Sequence, residues 1–510
     1  MNRFTDAIRG SWQDRPLPLI LLLALTLRLI SAVFSQGYGW HDDHFLIVEP
    51  AHSWTIGKDY NGWLPSADNV ESQPSGHSLT YPGVMYGIFS MLHFLGMEDP
   101  RDEMTVVRLL HALFSLFVVY FAYRIAQRLY GDEVAKKCGL ILALFYFMPF
   151  MSVRCLVEFV CIPFLLAGTW FLLKQKEIPW KSLLLSGVLF GVAFSIRYQT
   201  ILFTAGIGIV LLFRQPILKT MVWSLGLVLL IGSLQGLPDY LIWGRPFAEF
   251  AEYLRYNRTS GVTDYFSREW YMYFTLLGGM LIPPVSLMLL FGFTREIRKN
   301  ILLALPVLLF LAFHSWFPNK QERFIMPLIP FIVLLGYGGW RAFLEERKES
   351  AFIRRLNRFS WVFFWSLNLI ALIPVTVMYS KRSRVEAMSF LGKQQGSVSY
   401  ITEDSNNSRI TMLPDFYAGT EYSPFRITAD IPVSTIVNRI EAMPINARPG
   451  FILFLFEENI EKRLANTEEV LSIEFLFKAE PSFMDELLHM VNPANRNEAI
   501  YLYKIHWDRQ

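Results

Sequence analysis

The chain has 510 residues, of which 53% are hydrophobic and only 18% charged, and its net charge is +3. That balance, without a basic stripe, excludes a nucleic-acid binder and fits an integral membrane protein with sizeable water-exposed parts. The three cysteines, Cys138, Cys155 and Cys161, lie in or beside apolar runs without CxxC-type spacing, which excludes a disulfide framework and a cysteine-based zinc site.

In chain order, Arg3, Arg9 and Arg15 precede the first apolar stretch. No small-residue cleavage site follows, and Arg28 sits inside the stretch, so it reads as a retained helix with its N-terminus in the cytoplasm. Apolar runs at 17–35, 104–123, 138–151, 153–174, 182–197, 199–213, 220–238, 267–292, 299–317, 324–342 and 358–379 predict about eleven membrane spans. Basic clusters recur between them, from Arg124/Arg128 to the run Arg341–Arg358, and placing all of them in the cytoplasm gives a consistent topology. Four stretches are then external: 36–103, 239–266, 317–323 and the tail from about 380. Within the first, Tyr81–Leu95 is apolar but short and predicts an interfacial or re-entrant helix.

The tail changes composition. Gly396–Thr402, Gly450–Phe456 and Ala499–Ile505 read as strands, and Pro432–Met443 and Pro481–Met490 as helices. The expected fold class is therefore an all-α polytopic membrane domain over 1–379 with a C-terminal extramembrane α/β domain over 380–510.

Two loops carry candidate chemistry. The first begins Trp40-His41-Asp42-Asp43-His44 and continues to Glu49-Pro50-Ala51-His52, where proline at the favoured first position predicts a helix start. A carboxylate at the membrane surface accepts a proton from a bound hydroxyl when the geometry allows. The competing reading is a metal site on His41, Asp42, His44, Glu49 and His52, but no HExxH-type pattern is present, and no metal is expected. The second loop is His314-Ser-Trp-Phe-Pro-Asn319-Lys320-Gln-Glu322-Arg323-Phe324. Lys320 and Arg323 are expected at the external surface over the cavity that holds Asp42, suiting an anionic head group. Among the arginines within apolar runs, Arg108 and Arg197 are candidate phosphate ligands. Arg28 and Arg154 are read at least equally as structural, and Arg154 is expected to pair with Glu158 across one helix face.

His314-Ser-x-x-Pro with Asn319-Lys-Gln-Glu-Arg-Phe324 resembles the His-Lys-Glu-x-Arg-Phe signature of the lipid-phosphate-mannose-dependent α-mannosyltransferases of N-glycan and GPI-anchor assembly. Trp40–His52 aligns without a gap with that family's His-Pro-Asp-Glu and Leu-Glu-Pro-Ala-His loop, placing Asp42 on its catalytic aspartate. Arg108-Leu-Leu resembles its Pro-Arg-Leu motif. Asp239-Tyr240, Trp243-Gly244 and Tyr256-Asn257 resemble its second luminal loop. Asn319 departs from the signature histidine, Asp43 from the glutamate, and His77-Ser78 from the usual Arg-Ser.

The resemblance implies a GT-C fold and transfer of one sugar, mannose first, from a polyprenyl-phosphate donor to a glycan or glycolipid acceptor, with inversion. Asp42 is the expected base, with Asp43 beside it. Lys320, Arg323, Arg197 and Arg108 are expected on the donor phosphate. His41, His44, Glu49, His52, His314 and Glu322 are the expected supporting or acceptor-side residues. No cofactor is expected, and the other partners are the acceptor and the bilayer. The expected location is a bacterial inner membrane with a periplasmic site, the alternative being the endoplasmic reticulum with a luminal one. The other readings are a GT-C enzyme for aminoarabinose or another hexose, and a non-catalytic polyprenyl-phosphate transporter or scaffold.

Overall fold

The structure, a computed structural model, describes residues 12–59, 62–65, 72–259, 267–394, 399–408, 410–419, 425–492 and 495–507. Among these, five helices are long and apolar enough to cross a bilayer: Pro16–Phe34, Pro100–Tyr130, Ile217–Trp243, Glu322–Glu346 and Ala351–Thr376. A sixth span results if Met272–Met280 and Val285–Glu296, bent by 119°, are counted as one. Against the eleven expected, the helices of that length and composition thus number five or six among the described residues. The apolar runs are present, but Val157–Leu173, Trp180–Ile196, Tyr198–Arg214 and Ile301–Trp316 have at most 17 residues each, short of the roughly 20 that a full span needs. Arg197 is extended (φ −145°, ψ 109°) and ends Trp180–Ile196 ahead of the next helix.

The chain divides into two compact units: the first is Met1–Ala32, Gly62–Val84 and Arg108–Thr376, and the second is Val33–Asn61, Met85–Val107 and Val377–Gln510.

In the first unit, small residues let helix backbones touch, the usual device where burial of apolar surface cannot drive association. A Cβ on Gly292 would lie 1.9 Å from the Gly336 carbonyl oxygen, so Val285–Glu296 packs directly on Ile329–Glu346. A Cβ on Gly187 would lie 2.0 Å from the Trp223 carbonyl, closing Trp180–Ile196 on Ile217–Ile231 in the same way. Arg28 is fully buried and structural. Its Nε donates to Ser115 Oγ at 2.9 Å and its Nη1 to the Ala24 and Ala143 carbonyls at 3.2 and 3.4 Å. The helix face expected to join Arg154 to Glu158 does not form. One short helix ends at Met151 and the next begins at Val157, leaving Arg154 in the break with its guanidinium 4.3 Å from the Phe150 ring centroid.

The second unit holds a five-stranded sheet: β1 (Tyr400–Asp404), β2 (Phe425–Thr428), β3 (Phe451–Leu455), β4 (Ser472–Ala479) and β5 (Ile500–His506), in the order β2-β1-β3-β5-β4. β1 pairs in parallel with both β2 and β3, while β5 runs antiparallel to both β3 and β4. All five residues of β1 and of β3 are buried, as central strands covered on both faces require. Ile401, Ile427, Ile452 and Phe454 pack there with Ile436 and Ile440 of the helix Val433–Glu441. The three expected strands correspond to β1, β3 and β5, although 396–398 lie outside the described residues. The second expected helix is Phe483–Val491. β2, β4 and the helices Arg382–Gly392 and Ile460–Glu468 were not expected.

The first loop contributes the helices His41–Phe45 and Val48–Thr55 to this unit. The second begins at Val48, so Pro50 is its third residue and not its first. The expected helix over Tyr81–Leu95 forms as Thr80–Phe94.

Candidate active site

Within the second unit the four polar residues at 41–44 separate by role. Asp43 is 3% exposed and accepts the Gly39 and Trp40 backbone N–H groups at 2.8 and 3.0 Å. Both oxygens are thereby engaged in holding the loop that enters the helix. Asp42, on the adjacent face, is half-buried. His41 is exposed and stacks on Phe45 at 4.6 Å. His44 is buried between the Tyr38 and Tyr417 rings, at 4.7 and 5.7 Å, and its Nε2 lies 2.9 Å from Glu49 Oε1. Both Glu49 oxygens accept the Phe416 backbone N–H at 3.1 Å. His44 and Glu49 therefore position the Asp42 loop against Asp415–Ala418 by a buried, charge-assisted link. His52 is separate from that pair. It packs on Phe416 and Phe89, and burial lowers its imidazole to a pKa of about 4, leaving it neutral at pH 7.

Within the first unit two of the four candidate cations, Arg323 and Arg197, gather around one carboxylate. Glu158 is 3% exposed, and its Oε1 accepts from Arg323 Nε at 3.2 Å and lies 3.7 Å from Arg197 Nη2. Both arginines are buried. Arg197 has no hydrogen-bond acceptor for Nη1 or Nη2 among the described residues, and its guanidinium lies 5.5 Å from the Phe324 ring and 5.8 Å from Phe310. Two guanidiniums meet one carboxylate oxygen here, and the Arg197 amino groups find no acceptor among the described residues, a setting in a membrane-embedded unit that calls for an anion or a wet cavity. His314 stacks on Phe310 at 4.1 Å and contacts the Phe310 carbonyl through Nδ1 at 2.8 Å. Nδ1 must therefore carry the proton, which leaves the buried Nε2 as an acceptor with no partner among the described residues.

Lys320 is a correction. It is buried, not surface-exposed, and its Nζ donates to the Arg268 carbonyl at 3.0 Å and the Phe317 carbonyl at 2.5 Å. Burial pulls its ammonium below the usual lysine range. Glu322 points to solvent. Arg108 is buried and donates from Nε to the Ala32 carbonyl at 2.7 Å.

Several buried groups were not singled out in sequence as site residues. Glu249 accepts from Gly76 N at 2.7 Å, Ser75 Oγ at 3.0 Å and Trp243 Nε1 at 3.0 Å, while its own N–H donates to Asp239 at 3.0 Å. Burial raises its carboxyl to about 7. The Asp239 and Trp243 motif residues thus brace a loop through Glu249. Gln235, in a π-helical turn at Gly232–Gly236, ties Ser78 Oγ and Thr80 Oγ1 at 2.7 and 2.6 Å. π-turns recur at functional sites, and this one braces the loop carrying His77-Ser78. The second unit contributes Asp415, His93 and Glu103.

Comparison with known proteins bears on the chain as a whole. The sequence profile of the Alg9-like mannosyltransferase family matches residues 19–418. Mannosyltransferase APTG1 of Arabidopsis thaliana is 24% identical over 400 residues, covering 74% of this chain and 70% of that protein. GPI alpha-1,2-mannosyltransferase 3 of Homo sapiens is 22% identical over 414 residues, covering 79% and 69% respectively. Among solved structures, ArnT from Cupriavidus metallidurans bound to undecaprenyl phosphate superposes with a TM-score of 0.62 at 12% identity, over 95% of this chain and 97% of that one. The arabinofuranosyltransferase AftD from Mycobacteria gives 0.52 at 13% identity, over 97% of this chain and 40% of that one. At such identities the likeness is one of fold.

Proposed function

We propose, from the premise that this chain belongs to the Alg9-like mannosyltransferase family of membrane-embedded, lipid-linked-sugar-dependent GT-C enzymes, that it moves one mannose from a polyprenyl-phosphate donor to a hydroxyl of a lipid-linked glycan or glycolipid. The reaction inverts the anomeric centre and runs on the external face, periplasmic or luminal. Residues 1–379 form the transferase domain and 380–510 an external α/β domain.

Two chemical roles are required. A base must take the proton from the acceptor hydroxyl as its oxygen attacks the anomeric carbon. Asp42 has that role; Asp43, with both oxygens on backbone N–H groups, holds its loop. Cations must take up the charge that develops on the lipid phosphate as the glycosidic C–O bond breaks through an oxocarbenium-like state. Arg197 and Arg323 have that role, with His314 Nε2 an acceptor beside them. The observation that carries the proposal is the buried Arg197–Arg323–Glu158 cluster, in which the Arg197 Nη1 and Nη2 have no hydrogen-bond acceptor among the described residues. A lipid monophosphate is an anion that reaches such a seat from the bilayer. As leaving group it needs no diphosphate-chelating metal.

The test supplies purified protein in nanodiscs with a glycolipid acceptor and one of three donors: polyprenyl-phosphate-β-mannose, polyprenyl-phosphate-aminoarabinose or a nucleotide-linked mannose. The expected result is an α-mannoside, with free polyprenyl phosphate released, from the first donor alone. Transfer from the nucleotide sugar, or a β-linked product, contradicts the proposal.

A further inference from the structure

The second unit contains a cluster that the transfer chemistry does not use. His52 lies on the helix Val48–Thr55, His93 near the end of Thr80–Phe94, and Glu103 in the first turn of Pro100–Tyr130. One ligand atom from each lies within 4.8 Å of the other two.

Glu103 is 0% exposed, and neither of its carboxylate oxygens receives a hydrogen bond among the described residues. His93 Nε2 stands 2.7 Å from Glu103 Oε1 as an ion-pair contact. His52 Nδ1 is also buried without a hydrogen bond among the described residues. A buried carboxylate without donors is strongly unfavourable. An ion pair with His93 explains one oxygen, but it leaves the other oxygen and the His52 nitrogen unsatisfied. A cation at the centre of the three satisfies all of them.

We propose that His52, His93 and Glu103 bind one divalent transition-metal ion of the zinc class. Two imidazoles and one carboxylate form a donor set for that class, whereas calcium and magnesium favour oxygen-only sets. Three protein ligands leave a tetrahedral position open. A cavity of about 510 Å³, lined by His52, His93, Arg101, Ser389, Lys393 and Tyr417, supplies the space for a water or a substrate oxygen there. Glu98 and Asp99 also line it, adding negative potential on the path of an incoming cation. Arg101 is held by Glu386 at 2.6 Å, which reduces its repulsion of the ion. The sequence weighed a metal on His41, Asp42, His44, Glu49 and His52. The structure instead pairs His44 with Glu49 and joins His52 to two residues outside that set. The ion would tie together the parts of three helices that carry His52, His93 and Glu103, and no step of the sugar transfer is assigned to it.

The test uses the full chain in nanodiscs, stripped with a chelator and titrated with Zn²⁺ alone, with Co²⁺ absorption as the spectroscopic readout. The expected result is one Zn²⁺ per chain and a visible cobalt band of tetrahedral intensity. His93→Ala and Glu103→Gln should each weaken Zn²⁺ binding by at least about tenfold. Chelation should lower the thermal midpoint of the wild type but not that of His93→Ala. Absence of Zn²⁺ binding by the wild type, or unchanged affinity in the variants, overturns the proposal. If Glu103→Gln fails to fold, the half-buried His93 carries the decision, because unchanged binding in His93→Ala is sufficient to overturn it.

Discussion

Glu158→Gln isolates the electrostatics of the arginine cluster. The substitution keeps the shape and removes a carboxylate that touches both guanidiniums, through Oε1 at 3.2 Å from Arg323 Nε and 3.7 Å from Arg197 Nη2. The cluster charge rises by one. At an effective dielectric of about 20, each contact near 4 Å contributes about 4 kcal/mol before desolvation, and removing one partner of a buried pair costs about 3–5 kcal/mol. The ligand-free variant should therefore unfold at a clearly lower temperature. A bound lipid phosphate replaces the missing negative charge and recovers part of that loss. Polyprenyl phosphate should accordingly raise the midpoint of Glu158→Gln more than that of the wild type, and bind it roughly tenfold more tightly, about 1.4 kcal/mol. The assay is thermal unfolding in nanodiscs over a polyprenyl-phosphate titration. Equal ligand-induced shifts in the two proteins would reduce the cluster to a structural ion network.

Burial, with the Glu49 charge adding to it, pushes the Asp415 carboxyl up to about 8. Its stabilising contribution is complete below the unfolded value near 4 and is lost as pH rises through about 8. Asp415→Asn should flatten that fall in unfolding profiles between pH 5 and 9, and an unaltered slope would contradict the assignment. Gly292→Leu forces a side chain where even a Cβ would lie 1.9 Å from the Gly336 carbonyl. It should cost at least the roughly 1–3 kcal/mol of core overpacking, read as a lower midpoint in detergent, and a neutral result would mean that the two helices do not touch there. A reporter fused after residue 385 should read external. A cytoplasmic readout would separate the tail from the face proposed for catalysis.

Local residue types revealed the apolar runs, the tail strands with continuous buried runs, and the Asp42 loop. Long-range pairing did not show in the same way. Arg323 and Glu158 are 165 positions apart, so the sequence offered Arg154, four residues from Glu158, as the nearer partner. The helix break between Met151 and Val157 defeats that spacing argument. Lys320 looked exposed because it sits in a polar turn, but the turn folds back and its ammonium satisfies two carbonyls. β4 was missed because it is an edge strand with little burial along it, and Leu476, at the register shift between Phe475 and Phe477, interrupts its alternation. The expected span count exceeds the number of long apolar helices among the described residues because hydropathy records apolar runs and not the length of the helix that each one forms, as at Trp180–Ile196 and Tyr198–Arg214.

The most direct test of the central claim compares Asp42→Asn with Asp43→Asn, measuring mannose transfer and polyprenyl-phosphate-mannose binding in the same preparations. Asp42→Asn keeps the side-chain shape and removes proton acceptance, so transfer should fall by about 10²–10⁴ while donor binding persists. Asp43→Asn disturbs the two backbone hydrogen bonds at Gly39 and Trp40 and should lower stability by roughly 0.5–2 kcal/mol, as loss of a cap does, with a milder effect on rate. Near-wild-type transfer by Asp42→Asn would contradict the account.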